Sequence, residues 1–136
     1  MGDDPKETLP TRSICEVVKV DMQIPGCPIS KDEVERIVQH LVLDVPYSTP
    51  KYPICVECKQ RFTSCVFDAG ELCLGPITRA GCGAPCPAAG VGCYGCRGAS
   101  VELNFAEFMS VAAERGFTEV DIRERLDFFG GFEGLR

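Results

Sequence analysis

The sequence predicts an α+β chain with little regular structure, in which a loop-rich cysteine segment is flanked by one strand–helix unit and two C-terminal helices. Three observations predict it. Eight of the ten cysteines crowd between Cys55 and Cys96, in a stretch with neither helical nor strand periodicity. One run of alternation and one run of helical spacing precede that stretch. Two capped helical patterns follow it. The expected organisation is a tail or linker over residues 1–15, a strand–helix segment over 16–50, the cysteine domain over 51–100 and a helical pair over 101–136.

Residues 1–13 are polar, carry two prolines and show no period, as a tail does. From Glu16, Val18, Val20, Met22 and Ile24 alternate with Lys19, Asp21 and Gln23, the period of a half-buried strand that stops at Pro25-Gly26. Ser30 with Glu33 three residues on reads as a capping box. Val34, Ile37, Val38 and Leu41 then place one apolar stripe on a helix from about Lys31 to Leu43. The single histidine, His40, lies beside that stripe and reads as solvated or edge-packed. Residues 47–53 form a Pro-rich connector. Asn104 caps a helix whose Phe105, Phe108, Met109 and Ala112 share a face and which ends at Gly116. Thr118 with Asp121 starts another, carrying Ile122, Leu126 and Phe129 and ending at Gly130-Gly131. The aromatic residues of these helices read as core.

At 136 residues with a formal charge of -6, the chain has room for one ordinary domain or for a small metal-stapled one with extensions. The acidic balance argues against nucleic acid as a partner, which needs a basic stripe. No apolar run approaches the roughly 18 residues of a membrane span. The polar start, without an apolar signal core or twin arginine, makes a reducing cytoplasm the expected compartment, where dense cysteines signal metal or redox chemistry before disulfides.

The cysteines are spaced C-x2-C-x6-C-x7-C-x8-C-x3-C-x6-C-x2-C, from Cys55 and Cys58 through Cys65, Cys73, Cys82 and Cys86 to Cys93 and Cys96. Eight thiolates are the complement of two four-cysteine centres, and a CxxC pair serves one centre because the chain reverses within it. Cys86-Pro87 matches the end of a ferredoxin run, and the interspersed glycines let backbone amides approach sulfur, so iron–sulfur clusters are the leading reading. Two all-thiolate zinc sites and a disulfide scaffold remain as alternatives. A thioredoxin-like redox enzyme is disfavoured, since neither CxxC stands in that context.

The stretch Cys73-Leu74-Gly75-Pro76-Ile77-Thr78-Arg79-Ala80-Gly81-Cys82-Gly83-Ala84-Pro85-Cys86-Pro87, with Gly92-Cys93-Tyr94-Gly95-Cys96-Arg97-Gly98, resembles the small electron-transfer subunit of cytoplasmic [NiFe]-hydrogenases. The sulfhydrogenase delta and viologen-reducing small subunits are the nearest types. Val17-Val18-Lys19-Val20-Asp21 and Ile24-Pro25-Gly26-Cys27-Pro28 resemble the same family's strand and GCP turn, and the likeness runs from about residue 16 to 98. The resemblance implies a two-cluster iron–sulfur domain: a distal [4Fe-4S] cluster on Cys55, Cys58, Cys65 and Cys73, and a medial one on Cys82, Cys86, Cys93 and Cys96. Exchange of one ligand between clusters is the competing arrangement.

It further implies a non-catalytic subunit of an oxidoreductase complex, relaying electrons between a hydrogenase-type large subunit and a flavin- or ferredoxin-type acceptor. Recruitment as an electron wire to another redox complex, or a zinc-stapled interaction module, are the alternatives. Cys27 matches the fourth ligand of a third, proximal cluster. Its other three ligands belong, in the family, to a flavodoxin-like half that this sequence does not contain, so the chain is expected either to be the C-terminal part of such a small subunit, or to have that cluster completed by a separate polypeptide, or to lack it. Cys15 reads as an ordinary thiol. Arg79 and Arg97, beside the medial ligands, read either as tuning charges or as solvated surface.

Overall fold

In the computed structural model, residues 14–130 and 132 are described. Residues 1–13 of the tail expected over 1–15, and Gly131 of the last stop signal, lie outside them; Ile14 and Cys15 of that tail begin α1. Six helices occur along the described chain: α1 (Ile14–Val17), α2 (Lys31–Val42), α3 (Cys55–Gln60), α4 (Pro85–Ala88), α5 (Phe105–Glu114) and α6 (Glu119–Asp127). Between them the backbone is mostly turn and loop. Among the described residues, ladder pairing is limited to two isolated antiparallel bridges, Pro53 with Arg79 and Thr78 with Ala99. The chain is therefore irregular, α-dominated and cysteine-dense.

The expected strand over residues 16–24 does not form. Its beginning is taken up by α1, and the residues after it run without a ladder. Alternation supplies a strand's faces, but only a neighbouring strand satisfies its N–H and C=O groups. No neighbouring strand lies alongside among the described residues, and Val18 and Met22 stay exposed.

The helix starts follow local chemistry. Ser30 accepts from the Glu33 amide at 3.4 Å and Asn104 from the Glu107 amide at 3.1 Å. Thr118 and Asp121 form a reciprocal box, the Asp121 amide donating to the Thr118 hydroxyl at 3.2 Å and the Thr118 amide to the Asp121 carboxylate at 2.8 Å. The box expected at Ser30 is only half made, because the Glu33 side chain is drawn inward. On α2, Ile37 is buried whereas Val38 and Leu41, expected on the same covered stripe, are exposed.

One apolar core joins the cysteine loops to the last two helices. Ile54, Phe67, Leu72, Leu74 and Ile77 from the loops pack with Phe108, Ala112, Ile122 and Leu126. Each large apolar side chain among them contributes about 1.5–3 kcal/mol when fully buried. The Phe67 ring stacks on Phe108 at 6.0 Å and on Phe117 at 5.6 Å between centroids, an arrangement that favours aromatic pairs beyond their area. The N-terminal segment is fastened differently. Arg97, 2% exposed, grips both Glu33 carboxylate oxygens at 2.6 Å and donates to the carbonyls of Pro25 at 2.8 Å and Ala80 at 3.0 Å. One guanidinium thus ties α2, the turn before Cys27 and the loop before Cys82 together, and Arg97 is neither a solvated charge nor a free one.

Candidate metal centres

The eight clustered cysteines fall into two neighbourhoods. Cys55 and Cys58 stand at i and i+3 on the one and a half turns of α3, hence on one side of it. Cys65 and Cys73 return to them on the loop that follows. Burial pushes the Cys55 thiol up to about 12, and the closeness of Cys73, Cys58 and Cys65 pushes it the same way. Cys73 is raised by burial too, against amides of Cys93 and Gly75 that donate to its sulfur at 3.2 and 3.4 Å. Gly75 eases the packing here. A Cβ on it would stand 3.2 Å from the Cys73 sulfur and 3.4 Å from that of Cys55.

The second neighbourhood surrounds a cavity of ≈ 330 Å³ whose lining includes Cys82, Cys86, Cys93 and Cys96, and Cys27 as well. Cys86 is delivered by α4, whose first residues are Pro85-Cys86-Pro87, after a buried Ala84 in left-handed backbone with φ 52. The Ala84 amide bonds the Cys82 sulfur. Burial pushes Cys93 up to about 12, against an amide bond from Gly95 of 3.4 Å. Burial also raises Cys96, opposed by the Cys27 amide and reinforced by the nearby Cys86 and Cys27 thiols. Gly92, just before Cys93, passes so close to the Leu72 carbonyl that a Cβ there has no room.

These donor sets suit a thiolate-bound cluster. Sulfurs gathered four to a neighbourhood, met by backbone amides and served by glycines that leave room beside sulfur, match what such a cluster requires. Thiols raised by burial keep their protons at neutral pH, so a metal centre entering either neighbourhood displaces protons as it binds. Among the described residues no three or more His, Cys, Asp or Glu side chains are grouped so as to hold one metal ion. The second four instead stand around the cavity described above.

Cys27 and Cys15 are both exposed. Cys27 lines the cavity of the second neighbourhood, and both its amide and its thiol act on Cys96. His40 stands away from both, its Nδ1 3.2 Å from the Pro46 carbonyl and its ring edge-on to Tyr47. Arg79 lies against the Ala99 carbonyl at 3.3 Å. Sequence reasoning passed over Glu57, the residue inside the first CxxC. Its carboxylate accepts from the amides of Gly81 and Gly83 at 2.8 Å each. Its position between two candidate ligands was the available signal.

Fold and cysteine neighbourhoods together define a small, loop-rich, cysteine-dense protein of the iron–sulfur type. The chain is similar to hydrogenase subunits, one of them named as an iron-sulfur subunit. Over 114 residues, 83% of this chain and 48% of the relative, it is 38% identical to the delta subunit of sulfhydrogenase 2 from Pyrococcus furiosus. Over 157 aligned positions, 96% of this chain and 54% of the relative, it is 31% identical to the vhu G-type subunit of the F420-non-reducing hydrogenase from Methanocaldococcus jannaschii. It is also 28% identical, over 64% of its length and 36% of the relative, to the iron-sulfur G-type subunit of the F420-non-reducing hydrogenase from Archaeoglobus profundus. No protein-family model matches. The chain is a homologue of these hydrogenase subunits, as its motifs imply, and spans about half the length of the first two. Among the described residues no helix is long and apolar enough to cross a membrane.

Proposed function

We propose that this chain is an electron-relay element of a hydrogenase-type complex. Cys55, Cys58, Cys65 and Cys73 hold one [4Fe-4S] cluster, and Cys82, Cys86, Cys93 and Cys96 hold a second. The observation that carries this is that Cys58, Cys65 and Cys73 lie close to Cys55 while Cys82, Cys86, Cys93 and Cys96 line one cavity, together with Cys27; this supports a partition in chain order. The homologues named as hydrogenase subunits, one of them an iron-sulfur subunit, support it. A bound cluster supplies a one-electron carrier; the chain fixes its position and sets its potential through burial, charge and amide-to-sulfur bonds.

In this reading a [NiFe]-type large subunit delivers or accepts electrons on one side and a flavin- or ferredoxin-type partner on the other, in the cytoplasm. The exposed Cys27 is the point at which a further cluster, shared with another polypeptide, meets this wire. Anaerobically purified protein is expected to contain about eight iron and eight sulfide per chain, with visible absorbance bleached by dithionite. Iron-free protein carrying two zinc ions overturns the reading. Nickel in the native complex, purified through this chain, tests the large subunit.

A further inference from the structure

The carboxylate of Glu57 belongs to the first CxxC by sequence and to the second site by geometry. Its two oxygens accept from the amides of Gly81 and Gly83, each at 2.8 Å, and those amides flank Cys82 on both sides. Two effects follow. Amides that donate to a carboxylate are withdrawn from sulfur, where such bonds favour the reduced cluster. A fixed negative charge is also set beside a ligand of a centre whose reduction adds one more electron, and the two repel. Both lower the potential of the second centre.

The remaining charges sharpen the asymmetry. Both hydrogen bonds accepted by the Glu57 carboxylate come from the amides on either side of Cys82, whereas the charged side chain close to Cys55 is the cationic Lys59. Arg97 also lies near Cys82 and Cys96. Its charge is matched, however, by the buried Glu33 that it grips with two bonds of 2.6 Å, leaving a nearly neutral pair. Glu57 has no such cation bonded to it among the described residues.

We propose that Glu57 is a positioning and tuning residue that holds the second cluster at a lower potential than its thiolates alone give, biasing electron flow from the Cys82–Cys96 site towards the Cys55–Cys73 site. This rests on the two-cluster reading above. It makes the first CxxC serve both sites, one through its sulfurs and the other through the side chain between them.

The test is an anaerobic reductive titration followed by electron paramagnetic resonance, with Cys65→Ser and Cys86→Ser used to assign the signals of the two sites. Wild-type protein is measured first, and its failure to bind iron overturns the functional reading and this one with it. In iron-loaded protein, Glu57→Gln is expected to shift the second site's midpoint upward and the first site's less, while Glu57→Asp, which keeps the charge, stays nearer wild type. A Glu57→Gln protein that retains only the first site, with about half the wild-type iron, also supports the proposal. An unchanged second midpoint, a larger shift at the first site, an Asp variant shifted as far as the Gln variant, or loss of the first site or of both overturns it.

Discussion

At the scale of single residues, the most consequential side chain outside the cysteines is Arg97. Its partner Glu33 lies 64 positions away in the chain, and both side chains are 1% exposed. Removing Arg97 leaves the buried Glu33 charge with only the long hydrogen bond from the Tyr47 hydroxyl, at 3.4 Å, and breaking such a buried pair costs about 3–5 kcal/mol. Arg97→Ala is therefore expected to lower the urea midpoint of the anaerobic holoprotein sharply. Arg97→Lys should recover only part of the loss, because an ammonium cannot reproduce the planar fork. The sequence showed an arginine after the last cysteine but not the role it plays, since nothing local couples position 97 to position 33. Glu57 was hidden for the same reason: its partners are backbone amides 24 and 26 residues away.

At the scale of elements, legibility followed the range of the interactions that make each one. α2, α5 and α6 were readable because Ser30, Asn104 and Thr118 cap their starts within three residues. The strand was not, because alternation cannot provide the neighbour that a ladder needs. α3 and α4, of six and four residues, are too short to show a period. Two predictions belong here. On α2, Ile37→Ala is expected to cost about 2–5 kcal/mol, whereas Val38→Ala, on the exposed side, should stay within about 0.5 kcal/mol; comparing their denaturation midpoints checks which face is covered. On α6, hydrogen bonds from the Thr118 hydroxyl and amide hold the Asp121 carboxyl below its ordinary value of 3.8. The bond's contribution is thus complete above that value and fades as pH falls through the lowered one. Thr118→Ala should cost about 1 kcal/mol at neutral pH and flatten this acid limb, measured as thermal midpoint against pH.

For the whole molecule, the cysteine count and spacing made the class readable, since eight thiols in one aperiodic stretch leave few other uses for so much cysteine. What spacing left open was how loops without sheets become a body. The answer is a division of labour: an apolar core fastens the cysteine loops to α5 and α6, a buried ion pair fastens α2, and backbone amides face the sulfurs. The sequential partition of ligands stays a proposal that iron analysis of single-serine variants tests directly.

The hydrogen bond from the Cys93 amide to the Cys73 sulfur, 3.2 Å long, carries a consequence for biogenesis. Cys73 belongs to the first quartet and Cys93 to the second, so the two nests share a wall. In the two-cluster reading, holding Cys73 in the first nest would also hold the peptide of Cys93 in the second through this bond. Loading is then expected to be cooperative. Under limiting iron, native mass spectrometry should find empty and doubly filled chains, with singly filled ones scarcer than independent filling gives.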